Sequence, residues 1–320
     1  MKETALKILT VLVMGVMMSL LISCNTGIET TKTIKMSKSE QKETLPDAEE
    51  LFAAAIRSQP LGEWKRGKRF VVSDNKAALI LESEGAPAGT TADSLRGVVL
   101  LFDGIETRLA PGGESLRLIR FSRPEDGKAY RYNTGRDSQS AASQITGLDI
   151  PMLIDLDMVE EVDSMLRGRS LWTRTRLWYD ANGDIADGLR FVPVTVTGVR
   201  PGNVVFPMVV DFTDGSGRKA SVYMNVRGMS GLGAESRTFP TLFSLSDPRE
   251  GYKDILPERW TLIQQGKVAL GMTKDECRLA LGNPAEVDAG HNWSSVIDVW
   301  GYKDGTFLQF EDGLLVNYRH

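Results

Sequence analysis

The sequence is short of the residue types on which much protein chemistry relies. Its 320 residues hold 2 cysteines and 2 histidines, one of them the last residue. Two cysteines cannot build a disulfide framework. Two histidines leave little material for a His-rich metal site or a histidine relay, so no metal and no cofactor is expected. A basic excess is also missing: 38 Lys and Arg stand against 42 Asp and Glu, net −4, which argues against a nucleic-acid partner. After residue 22 no apolar run approaches the roughly 20 residues a membrane-spanning helix needs, so the chain beyond that point is expected to be soluble. Composition is that of an ordinary globular protein, 42% hydrophobic and 25% charged, with 31 glycines that argue for many turns. The length suggests two or three domains.

The first residues carry an address. Lys2 and Lys7 precede an uncharged stretch from Ile8 to Ile22, which runs into Leu21-Ile22-Ser23-Cys24. A basic start, a short apolar run and a small residue before the cut read as a secretory signal peptide over 1–23. The Leu-x-Ser-Cys ending resembles the bacterial lipobox. That resemblance implies that Cys24 is lipidated and becomes the mature N-terminus, with acyl chains as the membrane anchor. Asn25 differs from the Asp of the inner-membrane retention signal it would be compared with. The expected location is therefore the outer membrane of a bacterial cell envelope, facing the periplasm.

Residues 24–46 are rich in Thr, Lys, Ser and Glu and lack aromatics, which reads as a polar tether spanning roughly 25 Å. Asp47 then caps a short helical pattern, Leu51, Phe52, Ala55 and Ile56. From 47 to 250 the pattern is strands and turns. Expected strands are Arg69–Val72, Ala78–Glu82, Val98–Phe102, Leu116–Phe121, Ala129–Tyr132, Ser170–Trp178, Arg190–Val199, Val204–Phe212 and Ala220–Asn225. Such spacing predicts a β-barrel- or sandwich-like body. Met158, Val162 and Met165 lie on one helix face, so the stretch from 150 to 168 reads as a helical connector that splits the body in two.

Candidate chemistry is sparse. Asp180-Ala181-Asn182-Gly183-Asp184 starts like a calcium loop, but Gly falls at position 4 and Phe191 at position 12, so a hairpin turn is favoured. The Gly228, Gly231, Gly233 stretch lacks the subsequent helix and the Lys-Ser/Thr of a phosphate cradle. Cys277 shares a helix face with Ala280 and Leu281 and reads as a buried structural thiol, not a partner of His291. Asp155/Asp157 and Glu160/Glu161 carry no mark of a general acid and base. No catalytic residue is expected. Trp172, Trp178 and Tyr179 are the candidate aromatic anchors for a partner.

The segment after 258 is the clearest. Gly271-Met272-Thr273 leads into a helix whose Thr273 and Glu276 have capping-box spacing. Leu281-Gly282-x-Pro284 ends it in a left-handed cap. Trp300-x-Tyr302, then Phe310 and Gly313, mark strands separated by Asp-Gly turns. These residues predict a helix plus a three-stranded antiparallel meander, hence a fold that is mostly β with an α+β C-terminal module at 258–320. The pattern resembles the SmpA/OmlA/BamE family of outer-membrane lipoproteins over about 55 residues; inhibitor proteins of β-lactamase share the plan. The resemblance implies a small non-catalytic module contacting the β-barrel assembly machinery. In that family the module lies close behind the lipidated Cys, whereas here a long body intervenes. The expected function is a non-enzymatic envelope scaffold or assembly factor. The alternative is a periplasmic ligand- or protein-binding or inhibitor module.

Overall fold

A computed structural model describes residues 47–85, 94–137, 145, 150–226, 237–291 and 296–319. Cys24 and the Gly228–Gly233 stretch lie outside these residues. The described chain is mostly β, and all its strand pairings are antiparallel. It opens with helix α1 (Ala48–Ala55), where the Asp47 carboxylate accepts from Glu50 N at 2.7 Å.

The first sheet is built from β1 (Arg69–Val72), β2 (Leu81–Ser83), β3 (Val99–Leu109), β4 (Ser115–Ser122), β5 (Ala129–Asp137) and β6 (Leu153–Asp155), in the order β2-β5-β4-β3-β1-β6. Period-2 alternation turns Phe70, Val72, Leu100, Phe102, Ile119, Phe121 and Tyr130 into one apolar cluster. Trp64 caps that cluster, 5.0 Å from Phe70 and 5.4 Å from Phe102 between ring centroids. On another part of the same sheet, Arg120 and Arg131 share the carboxylates of Glu84 and Glu106.

Helix α2 (Leu156–Leu166) continues from β6 without a loop. Asp155 caps it, accepting from Met158 N at 3.1 Å. Acids at its start answer the cations Lys68 and Arg69 at the beginning of β1, as the helix dipole favours. Lys68 pairs with Asp155 at 2.6 Å, and Arg69 pairs with Asp157 at 2.7 Å and Glu160 at 2.6 Å. The opposite face of α2 buries Met158, Val159, Val162 and Leu166 in the core of the second sheet. One helix is thus held by charges to the first sheet and by apolar burial to the second.

The second sheet contains β7 (Ser170–Thr173), β8 (Leu177–Tyr179), β9 (Ile185–Asp187), β10 (Pro193–Pro201), β11 (Met208–Asp214), β12 (Lys219–Met224) and β13 (Phe243–Ser244), ordered β13-β7-β10-β11-β12-β8-β9. Helix α3 (Phe239–Leu242) closes its core beside α1, with Phe52 and Phe239 centroids 4.5 Å apart. The body is β-rich, but its two sheets each cover a separate core, and the strand order of each has two ends.

The remainder is α4 (Pro257–Gln264), α5 (Lys274–Leu281) and the strands β14 (Glu286–His291), β15 (Val296–Gly301), β16 (Phe307–Glu311) and β17 (Leu314–Arg319), paired in sequence order. The expected three-stranded meander has four strands. β14 has no buried residue to betray it, because its described side chains are all exposed at the sheet edge.

Other departures have local causes. The stretch expected as a strand from Ala78 begins as a 3-10 turn (Asn75–Leu79), because Asp74 accepts from Lys76 N at 2.8 Å. The Ser170–Trp178 run breaks after Thr173, and Thr175 Oγ1 accepts from Leu177 N at 3.1 Å. β11 starts at Met208, not Val204, since Asn203 Oδ1 holds Val205 N and Phe206 N at 2.9 Å each in a turn.

The third core is completed from outside its own segment. Phe191, just before β10, takes a left-handed backbone with φ +56° and is buried in it. Its ring lies 5.6 Å from Trp260. A bulky residue takes this conformation only where its surroundings enforce it. Phe191→Ala should lower stability by about 3–5 kcal/mol, the usual cost of emptying a buried aromatic position. Urea unfolding monitored by tryptophan fluorescence measures it; a loss below about 1 kcal/mol would show that the ring is not a structural plug.

Candidate functional site

The residues singled out at the C-terminus meet in one small structure. Gly271, with φ +79°, donates its N–H to Leu315 O at 2.7 Å and so ties the start of α5 to β17. Met272 is fully buried, and its sulfur accepts from Ala269 N at 3.1 Å. The capping box forms: Thr273 Oγ1 accepts from Glu276 N at 3.2 Å, and Glu276 Oε2 accepts from Thr273 N at 2.7 Å. Glu276 is itself buried, and its charge is answered by Arg259 at 2.8 Å. Leu281 and Tyr302 pack against the core, which contains Trp300 and Phe310; Tyr302 OH donates to Gly282 O at 3.2 Å. Gly282 has positive φ, as expected, but with ψ −170° it is not in the left-handed helical well. Pro284 comes next but one, half-buried, and Gly313 turns the last hairpin at φ +83°. These residues shape and cap the module; none converges on a reacting centre.

Cys277 lies fully buried in this core, and burial pushes its thiol up to about 12, with the neighbouring Glu276 adding to the shift. Among the described residues no group of three or more His, Cys, Asp or Glu is arranged to hold a metal ion. Asp180 forms the hairpin turn between β8 and β9, its Oδ1 accepting from Asn182 N and Asp184 N.

The aromatic anchors divide. Trp178 cannot serve as one: it is fully buried, its indole N–H donates to Thr175 O at 3.0 Å, and its ring packs edge-on against Phe212. Strand alternation points it into the core. Trp172 and Tyr179 are half-buried. Tyr179 stands edge-on to Tyr223 at 4.8 Å, and its OH accepts from Arg237 at 3.1 Å. The Arg237 guanidinium also lies 4.5 Å from the Phe206 ring centroid.

A further site was not singled out from the sequence. The segment leading into α4 forms a groove of about 370 Å³, walled by Tyr252, Ile255 and Trp260 and rimmed by Arg249 and Lys253. Asp247 caps the 3-10 turn Pro248–Gly251, accepting from Arg249 N at 3.0 Å, and Pro257 opens α4. These two local stops hold Tyr252, 42% exposed, opposite the helix. The Arg249 guanidinium beside Asp247 holds that carboxyl below its ordinary range. Trp260 Nε1 is buried with no hydrogen-bond partner among the described residues. The groove has the size of a small-ligand or side-chain pocket, and its aromatic wall with Lys253 at the rim suits an apolar segment carrying negative charge. A second cleft, about 330 Å³, lies where Arg57, Lys65 and Arg66 face Asp157 and Glu161.

No family model, no curated protein and no solved structure matches the chain.

The thiol gives a direct check on the C-terminal core. A group whose pKa is raised on folding stabilises the fold below its unfolded value. For Cys277 that contribution should be intact below pH 9.0 and be lost as pH rises toward about 12, because the unfolded chain releases the proton first. At pH 8 iodoacetamide should leave Cys277 unmodified in the native protein and modify it fully in urea, read by peptide mass spectrometry. Rapid native alkylation would contradict the burial.

Proposed function

We propose that the chain is a lipid-anchored outer-membrane lipoprotein that acts as a non-enzymatic scaffold or assembly factor in the bacterial cell envelope. The lipobox at Cys24 supports the address. The C-terminal module, in the image of the SmpA/OmlA/BamE family, supports a link to outer-membrane protein assembly. The observation that carries the binding role is the groove between Tyr252 and Trp260, which sits where the β-rich body leads into that module. Tyr252, 42% exposed, offers a partner an aromatic contact at low entropic cost beside the buried Trp260, and Lys253 favours acidic character.

A second reading, a periplasmic protein-binding or inhibitor module, draws on the Tyr179, Phe206, Tyr223 and Arg237 cluster of the second sheet. Its anchors are largely engaged with one another, which leaves the groove the better candidate.

Affinity capture from detergent-solubilised envelopes separates the readings. The mature protein should recover envelope proteins, the β-barrel assembly machinery among them. Tyr252→Ala with Lys253→Glu should reduce that recovery about tenfold or more while leaving unfolding unchanged. Recovery that is unaffected by this double variant but lost in Tyr179→Ala would favour the second reading. Recovery of no envelope protein would contradict both.

A further inference from the structure

Two arginines meet where the β8–β9 hairpin of the body touches the C-terminal module, and among the described residues no buried carboxylate pairs with either. Arg190 is held there through its backbone, its N–H donating to Gln264 O at 2.9 Å at the end of α4. Its guanidinium Nη1 donates to Leu279 O at 3.1 Å near the end of α5. Its Nε is buried without a partner among the described residues. Arg176 reaches the same place. Its carbonyl accepts from Gly188 N at 2.9 Å, and its guanidinium lies across Gly266, where a Cβ would fall 2.6 Å from Nη1. The Nε of Arg176 is likewise buried and unpartnered among the described residues. Its guanidinium pairs with Asp187 at 4.0 Å, a carboxylate fully open to water.

The two cations act on each other. Burial, and then the charge of Arg176, depress the pKa of Arg190. Asp187 answers Arg176 only from open water, and the ends of α4 and α5 contribute helix-dipole charge of about half a unit each, which leaves Arg190 without a full counter-charge among the described residues. Two other cations of the fold have close carboxylates: Lys68, buried more deeply than either arginine, has Asp155 at 2.6 Å, and Arg259 has Glu276 at 2.8 Å. Leaving guanidinium N–H groups buried without a partner costs free energy, and a site that accepts that cost in the free protein is built for an anion that arrives from outside. Forked guanidinium donors match the tetrahedral oxygens of phosphate, where several oxygens can be shared between two arginines.

We propose that Arg176 and Arg190 form a binding site for a phosphate or phosphate monoester at the junction of the body and the C-terminal module. The oxyanion bridges the two guanidinium groups and ties the hairpin to the helix ends. The site is independent of the Tyr252 groove and of the adaptor reading.

Thermal unfolding of the full chain in detergent, with inorganic phosphate exchanged for chloride at constant ionic strength, tests this. The melting temperature should rise with phosphate, as linkage requires for a ligand of the folded state. Arg176→Gln should weaken the apparent affinity about tenfold or more. Arg190→Met should abolish the response and, by removing an uncompensated charge, melt no lower than wild type in chloride. If Arg190→Met fails to fold, the half-exposed Arg176 still provides the test. Glycerol phosphate distinguishes the source: tighter binding than inorganic phosphate assigns an esterified headgroup, equal or weaker binding the free anion. No phosphate response in the wild type, or one equal in both variants, would overturn the proposal.

Discussion

The structure depends on one residue that leaves its own sheet. Phe191, turned by a left-handed backbone, delivers its ring into the core formed by α4, α5 and the C-terminal strands. Its N–H is held by Thr173 O at 2.5 Å, within the body, while the preceding Arg190 N–H is held by Gln264 O, within the C-terminal module. Consecutive amides therefore bond to opposite sides of the junction. The apolar ring makes the contact favourable, and the two hydrogen bonds fix its direction. The arginine pair and the hairpin that carries it are positioned by this same junction.

A different balance operates between the two body sheets. There α2 is clamped at its acidic start by Lys68 and Arg69 and buried along its apolar face against β10 and its neighbours. Lys68 also lies against the rings of Trp64 and Phe70, with Nζ 5.9 and 5.8 Å from their centroids. A buried lysine is tolerable here because a carboxylate, a glutamine oxygen and two aromatic faces replace its water. Lys68 and Arg69 thus have close carboxylates, whereas at the junction Arg190 has none among the described residues. That contrast makes the junction, rather than the sheets, the informative part of the molecule.

Local features are legible in the sequence. Arg69–Val72 alternates cleanly between half-buried and buried positions, so its bounds emerge from pattern alone. The Thr273 and Glu276 box needs only residues three apart, and the Asp180 turn only residues within one hairpin. Features set by distant neighbours are not legible. Val287 is the one large apolar residue among Glu286, Asp288 and Ala289, and an exposed edge strand shows no alternation for a core to impose. Phe191 resembles any strand residue until its φ is known. Trp178 reads as an available anchor because composition does not say which face of a strand is covered. The Tyr252 and Trp260 groove emerges only when two chain stops, at Asp247 and Pro257, act together.

Body and C-terminal module are therefore joined through Phe191 and the amide of Arg190, and they should unfold as one cooperative unit. Native-state hydrogen exchange read by mass spectrometry tests this most directly. The amides of Arg190, Phe191 and Gly271 should exchange with the same opening free energy, as members of one unfolding unit. If Gly271 and the C-terminal strands exchange through a separate and easier opening, while Phe191 stays protected, the module is a loosely attached appendage and the cooperative junction does not exist.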